Sequence, residues 1–149
     1  MNILCFGDSN TFGYDPRGFF GGCYDKPWTQ LLSEKSGWNV RNQGENGREV
    51  PILPVSFTEN YDLLVIMLGT NDLLQGNSVD AIARRMEAFL TSISREKLSI
   101  LLIAPPPMKL GEWVPTENLI EFSEELAFAY RDLAQRLGVR FDDAFNATQ

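Results

Sequence analysis

The stretch Asn2-Ile3-Leu4-Cys5-Phe6-Gly7-Asp8-Ser9-Asn10 is a short apolar run that breaks into a turn of glycine, aspartate, serine and asparagine. Continuously apolar runs of this length, rich in β-branched or aromatic residues and bounded by such turns, read as strands buried on both faces of a sheet. Runs of the same kind recur at Trp38 to Arg41, Leu63 to Leu68, Ser99 to Ala104 and Val139 to Phe141. Helical patterns lie between them. Trp28, Leu31 and Leu32 fall at i, i+3 and i+4, with Pro27 in the first turn and Gly37 just past the end. A second pattern has Ser78 as its N-cap and carries Val79, Ile82, Met86, Phe89, Leu90 and Ile93. A third opens near Thr116, carries Leu119, Phe122, Leu126, Tyr130, Leu133 and Leu137, and stops at Gly138. Strands alternating with helices imply βαβ units, a parallel sheet and right-handed crossovers. The expected fold is therefore α/β, a doubly wound parallel sheet of five strands with helices on both faces, in a single domain over residues 1–149.

Composition narrows the function classes. The 20 acidic residues outnumber the 13 basic ones and leave a net charge of -7, which repels phosphate backbones and anionic lipid surfaces. Neither nucleic acid nor a membrane is an expected partner, and no apolar run approaches the roughly 20 residues of a spanning helix. From Met1 the chain enters its apolar run at once, with no basic segment or small-residue cleavage site, so a cytoplasmic location is expected. Cys5, in a strand, and Cys23, among glycines, are too few for a disulfide framework and read as free thiols. The sequence holds no histidine and no clustered cysteines, so the usual ligands of a transition metal are missing and no metal or cofactor is expected. A glycine-rich phosphate fingerprint of the Walker or dinucleotide type is also absent.

Three polar turns follow the first three strands: Gly7-Asp8-Ser9-Asn10, Asn42-Gln43-Gly44-Glu45-Asn46-Gly47 and Gly69-Thr70-Asn71-Asp72. Open α/β sheets bind ligands outside the carboxyl ends of their strands, where the strand order reverses. With the order 2-1-3-4-5, strand one lies between strands two and three, and Ser9 is flanked by Gly47 and Asn71. That is the outline of an acyl-transfer site. Ser9 is the candidate nucleophile; its own backbone N–H, the N–H of Gly47 and the side-chain amide of Asn71 are the candidate oxyanion donors. Glycine suits position 47 because a side chain there would block the substrate. Asp8 and Asp72 are read as supporting residues that fix loops or cap helices. Each turn alone is ordinary turn chemistry; the weight lies in three of them falling in this order.

The three blocks resemble the SGNH hydrolases, also called GDSL lipases and esterases. Gly7-Asp8-Ser9 looks like the first block, with Asn10 where many members carry leucine, and Asn10-Thr11-Phe12-Gly13 is similar to the bacterial arylesterase and acyltransferase branch. The glycine of the second block is matched by Gly47, five positions after Asn42, and the third block by Gly69-Thr70-Asn71-Asp72. The resemblance implies a flavodoxin-like, three-layer α/β/α fold and hydrolysis or transfer of acyl groups without a metal, acting on a small-molecule ester. One departure accompanies it. The family's last block, an aspartate followed three residues later by the general-base histidine, has no counterpart: Asp142 and Asp143 are followed at that spacing by Phe145 and Asn146. Both aspartates are read as structural, the triad histidine and aspartate are assigned to no residue, and the domain is expected to be C-terminally incomplete, lacking its last helix. A non-catalytic small-ligand-binding protein is the alternative reading.

Other features carry less. The stretch Pro105 to Pro115 could wall an acyl pocket, form a subunit interface or simply be a stiff connection, and Phe19, Phe20, Tyr24 and Trp28 could line a cleft or pack. Ser33, Ser36 and Ser56 read as ordinary surface or turn serines. With the last helix missing, a sheet face near strand five would be partly uncovered, which predicts a homo-oligomer.

Overall fold

The computed structural model describes residues 1–8, 33–45, 47–53, 55, 57, 61–93, 99–105 and 117–143, with backbone alone for 117–120. Its strands are β1 (Asn2–Gly7), β2 (Asn39–Gly44), β3 (Leu63–Met67), β4 (Ile100–Ala104) and β5 (Arg140–Asp143). Three helices complete the described elements: α1 (Thr70–Leu74), α2 (Val79–Ser92) and α3 (Glu117–Leu137). The sheet is five-stranded with the order β2-β1-β3-β4-β5, and every pairing is parallel. This is the doubly wound α/β arrangement the sequence predicts. Because the chain steps from β1 outward to β2 and then back past β1 to β3, right-handed crossovers on the two sides of β1 must run over opposite faces.

Burial follows from position in the sheet. The central strands β1 and β3 are buried almost throughout, as their continuous apolar runs require. The expectation of burial on both faces fails for β2 and β5, which are edge strands and largely exposed or half-buried. Polar residues such as Asn39, Arg41 and Arg140 are tolerated there because one side of an edge strand meets water. Both strands also run further than their apolar cores: β2 takes in Asn42, Gln43 and Gly44, and β5 takes in Asp142 and Asp143. One sheet face, through Leu4, Phe6, Leu64, Ile66 and Leu102, packs against α2 and α3 in the main core. The other carries a smaller cluster of Ile3, Cys5 and Val65. Burial pushes the Cys5 thiol up to about 12, so it is an inert packing group.

The helices obey their local signals. Ser78 caps α2, its side chain accepting the Ala81 N–H at 3.1 Å, and Ile82, Met86, Phe89 and Leu90 are buried along one face. In α3 the buried stripe is Ser123, Leu126, Ala127, Tyr130, Leu133 and Ala134, while Phe122, expected on that face, is 41% exposed. The stripe keeps the expected Leu126, Tyr130 and Leu133 and is turned toward Ser123, Ala127 and Ala134, the side away from Phe122. Residues 33–36 are helical, and Gly37 ends that helix at φ 73°, its N–H donating to the Ser33 carbonyl at 2.9 Å. The earlier part of the expected helix, with Trp28, Leu31 and Leu32, lies outside the described residues. Among the described residues no helix is long and apolar enough to cross a membrane.

Gly69, between β3 and α1, has φ 137°, and a Cβ there would stand 2.7 Å from Leu126 Cδ2 and 2.9 Å from the Tyr130 hydroxyl. Gly76 also has a positive φ, 89°, but a Cβ on it would meet nothing. Gly76→Ala is expected to cost about 1–2 kcal/mol for backbone strain, and Gly69→Ala roughly 1–3 kcal/mol more from overpacking against α3. Thermal unfolding of the two variants checks the order; equal losses would mean that the helix yields freely.

Candidate active site

The register of the sheet sets the level of the site. Gly7 of β1 pairs with Gly44 of β2 and with Met67 of β3, so the three strands end side by side. The Glu45 N–H donates to the Gly7 carbonyl at 3.1 Å, carrying the ladder one step beyond the strands. The turns containing Asp8, Gly47 and Asn71 therefore leave the same edge of the sheet, on either side of β1. This is the point at which the strand order reverses and a crevice opens.

The turn after β2 is built around Arg48, which the sequence analysis passed over. Its guanidinium lies 4.1 Å from the centre of the Phe6 ring, Nη1 donates to the Gln43 carbonyl at 2.8 Å, and Nη2 donates to Glu45 Oε2 at 2.8 Å. One side chain thus clamps both arms of the turn and presses it onto the last apolar residue of β1. Asn42 adds a local tie, its Oδ1 accepting the Gly44 N–H at 2.7 Å. Gly47 sits at φ 81°, and a Cβ there would meet nothing within 4 Å among the described residues. The constraint favouring glycine is thus conformational, because side-chain-bearing residues rarely adopt that φ.

The turn after β3 meets this segment directly. Asn71 Nδ2 donates to the Arg48 carbonyl at 3.1 Å. A primary amide has two N–H donors, so this bond fixes its orientation and leaves a second donor. Asp72, 0% exposed, accepts the Val50 N–H with Oδ1 at 3.0 Å and Oδ2 at 3.3 Å, and Arg85 Nη1 approaches Oδ2 at 3.5 Å. Burial pushes the Asp72 carboxyl up to about 6 against the pull of the Val50 amide, with Glu49 adding to the rise and Arg85 opposing it. Asp8 is also fully buried. Beneath the turn, the Tyr130 hydroxyl donates to the Leu68 carbonyl at 2.9 Å, and its ionisation is pushed well above the usual range by burial first, then by Asp72 and Asp8.

Of the predicted site residues, Asp8, Gly47, Asn71 and Asp72 lie at one sheet edge, and Asn71 and Asp72 are hydrogen-bonded to residues 48 and 50 of the segment that follows Gly47. Ser9, Asn10 to Gly13, Asn46, Cys23, Phe19, Phe20, Tyr24, Ser56, residues 106–115, Phe145 and Asn146 lie outside the described residues. Asp142 and Asp143 stand in β5, where Asp143 Oδ2 lies 3.8 Å from Arg131 Nη2 of α3. Beside the second turn, residues 49–53, Val55 and Arg85 line an open cleft of about 470 Å³. Its rim carries the exposed Ile52 and Leu53.

Residues 5–149 match the GDSL-like Lipase/Acylhydrolase family, and the chain belongs to that family. Among solved structures it is similar to the native M. smegmatis aryl esterase, at 26% identity and a TM-score of 0.76, covering 97% of this chain and 84% of that one. It is similar to a carbohydrate acetylesterase family member from Sinorhizobium meliloti at 25% identity and a TM-score of 0.75, over 97% and 83% of the two chains. A putative arylesterase from Agrobacterium tumefaciens str. C58 aligns at 26% identity and a TM-score of 0.75, over 97% and 84%. No curated protein matches. The three turns thus stand in a chain of hydrolase family, with esterases among its structural relatives.

Because Asp72 binds its proton more tightly in the folded chain, protonation favours folding. Its contribution to stability is fully present below its ordinary value of 3.8 and is lost as pH rises through about 6. The melting temperature of the protein minus that of Asp72→Asn is therefore expected to fall between about pH 4 and about pH 7 and to level off above. A difference that grows with pH in that window would place the carboxyl in a charge-stabilising environment instead.

Proposed function

We propose that this chain is a serine esterase or acyltransferase of a small ester, with Ser9 as nucleophile and with Gly47 N–H and Asn71 Nδ2 as oxyanion donors. The observation that carries the reading is the bond from Asn71 Nδ2 to the Arg48 carbonyl, which holds an oriented amide against the segment bearing Gly47. Ser9 follows the buried Asp8 at the end of β1, between those two turns in the strand order. In this reading Ser9 Oγ attacks the acyl carbon, the carbonyl oxygen becomes an oxyanion held by the two N–H donors, and the C–O bond to the alcohol breaks as the carbonyl re-forms, the serine proton leaving with the alcohol. Water or a second alcohol then takes the acyl group from the serine, and the proton it gives up restores the serine hydroxyl. The relatives named as an aryl esterase and a carbohydrate acetylesterase support a small acyl group. The cleft lined by residues 49–53, Val55 and Arg85 is of a size to take part of a small ester.

A serine hydroxyl is a weak nucleophile until a base takes its proton. The 149 residues contain no histidine, so this polypeptide alone is expected to turn over p-nitrophenyl acetate slowly, and that fact favours a second reading as a binding protein for small esters. Labelling of the full-length protein by an organophosphonate decides between them. Stoichiometric labelling that vanishes in Ser9→Ala supports the esterase, with Asn71→Ala expected to slow it on the order of 100-fold. Labelling that persists in Ser9→Ala removes Ser9 from the reaction; no labelling at all, with esters still bound, supports the binding protein.

A further inference from the structure

Asp72 does more in this site than the role of a helix cap predicts. Its carboxylate is buried, accepts the Val50 N–H through both oxygens, and is approached by Arg85 from α2. Arg85 is itself aimed, since Nη2 donates to Asn77 Oδ1 at 3.1 Å while Asn77 Nδ2 donates to the Asp72 carbonyl at 3.0 Å. The neighbouring Asn71 donates to the Arg48 carbonyl. Residues 48 and 50 are thereby tied to consecutive residues of α1, and Gly47, the other candidate oxyanion donor, leads directly into the tied segment. Arg48 clamps the turn on the side of Gln43 and Glu45, and Asp72 holds the segment that leaves it.

We propose that Asp72, braced by Arg85, is the positioning residue that sets Gly47 N–H and Asn71 Nδ2 at a fixed separation, and that its ionisation tightens the pair. The inference rests on the assignment of those two donors to the oxyanion. Two consecutive residues of one short helix hold one segment at two points, so a shift of that segment must lengthen at least one bond. An ionised carboxylate accepts an amide proton more strongly than a carboxylic acid does, so the tie is firm above the Asp72 midpoint and slackens below it. The charged groups around the carboxyl are Glu49 on the tied segment and Arg85 on α2; Tyr130 on α3 lies below, within range of both Asp72 and Asp8. Of these, burial dominates and brings the midpoint to about 6.

Oxyanion donors act mainly in the transition state, so loosening them lowers kcat and leaves KM nearly unchanged. The test uses the full-length protein. Backbone amide resonances of Val50 and Gly47, and the side-chain amide of Asn71, are followed by NMR from about pH 4.5 to about pH 8 in the unmutated protein, bracketing the expected midpoint near 6. The expected result is one shared midpoint for all three, absent in Asp72→Asn, with kcat for p-nitrophenyl acetate reduced on the order of 10- to 100-fold at unchanged KM. Movement of Val50 alone, with Gly47 and Asn71 unaffected, overturns the proposal without any variant. So does full kcat in a folded Asp72→Asn when Ser9→Ala is inactive. If Ser9→Ala keeps its activity, the parent reading falls instead, and the shared midpoint alone decides whether the tie exists.

Discussion

The pairing of β1 with β2 on one side and β3 on the other, in the register that sets Gly7 beside Gly44 and Met67, is the constraint on which everything else rests. A parallel sheet delivers the carboxyl ends of its strands to one edge, and the reversal at β1 keeps the crossovers from covering that edge. Three turns far apart in sequence thus become neighbours. A slip of one residue along β1 would turn Leu4 and Phe6 out of the main core and move Asp8 and Ser9 relative to both flanking turns. The buried Leu4, Phe6, Leu64 and Ile66 hold that register, so apolar packing fixes where the polar residues meet.

The polar layer over this edge is costly to bury, and Tyr130 and Asp72 are tied within it. Asp8, Asp72 and Tyr130 are all fully buried, and a buried polar group without partners destabilises the fold by more than a typical hydrogen bond stabilises it. Tyr130 meets the Leu68 carbonyl and Asp72 meets the Val50 amide, so each bond that satisfies a buried group also joins two elements of the site. Gly69 lets α3 come close enough for this. Burial of Asp72 at this edge raises its midpoint to about 6, so the packing around the turn sets its electrostatics.

Much of this was legible in the sequence where one residue type has one physical use. Ser78 before a periodic apolar stretch is an N-cap, Gly37 after a helical pattern is a left-handed stop, and the apolar runs of β1 and β3 are buried central strands. Sequence patterns name a residue's own preference and are silent on its partners. Arg48 looks like any charged turn residue until Phe6, Gln43 and Glu45 are arranged around it. Asp72 reads as fixing a loop or capping a helix, and which loop it holds is hidden because the Val50 amide it accepts is 22 positions away. Phe122 fits the apolar periodicity of α3, but the packed stripe runs through Ser123 and leaves it 41% exposed. The edge character of β2 and β5 follows from strand order, which periodicity does not encode.

The proposed function comes down to one claim: Ser9, Gly47 and Asn71 surround a single reacting carbon. A crystal structure of the full-length protein carrying a phosphonate adduct tests this most directly, because the phosphoryl oxygen stands where the oxyanion would be. The account predicts phosphorus bonded to Ser9 Oγ and that oxygen about 2.7–3.1 Å from both Gly47 N and Asn71 Nδ2. An adduct on another residue, or a phosphoryl oxygen turned away from both nitrogens, would contradict it.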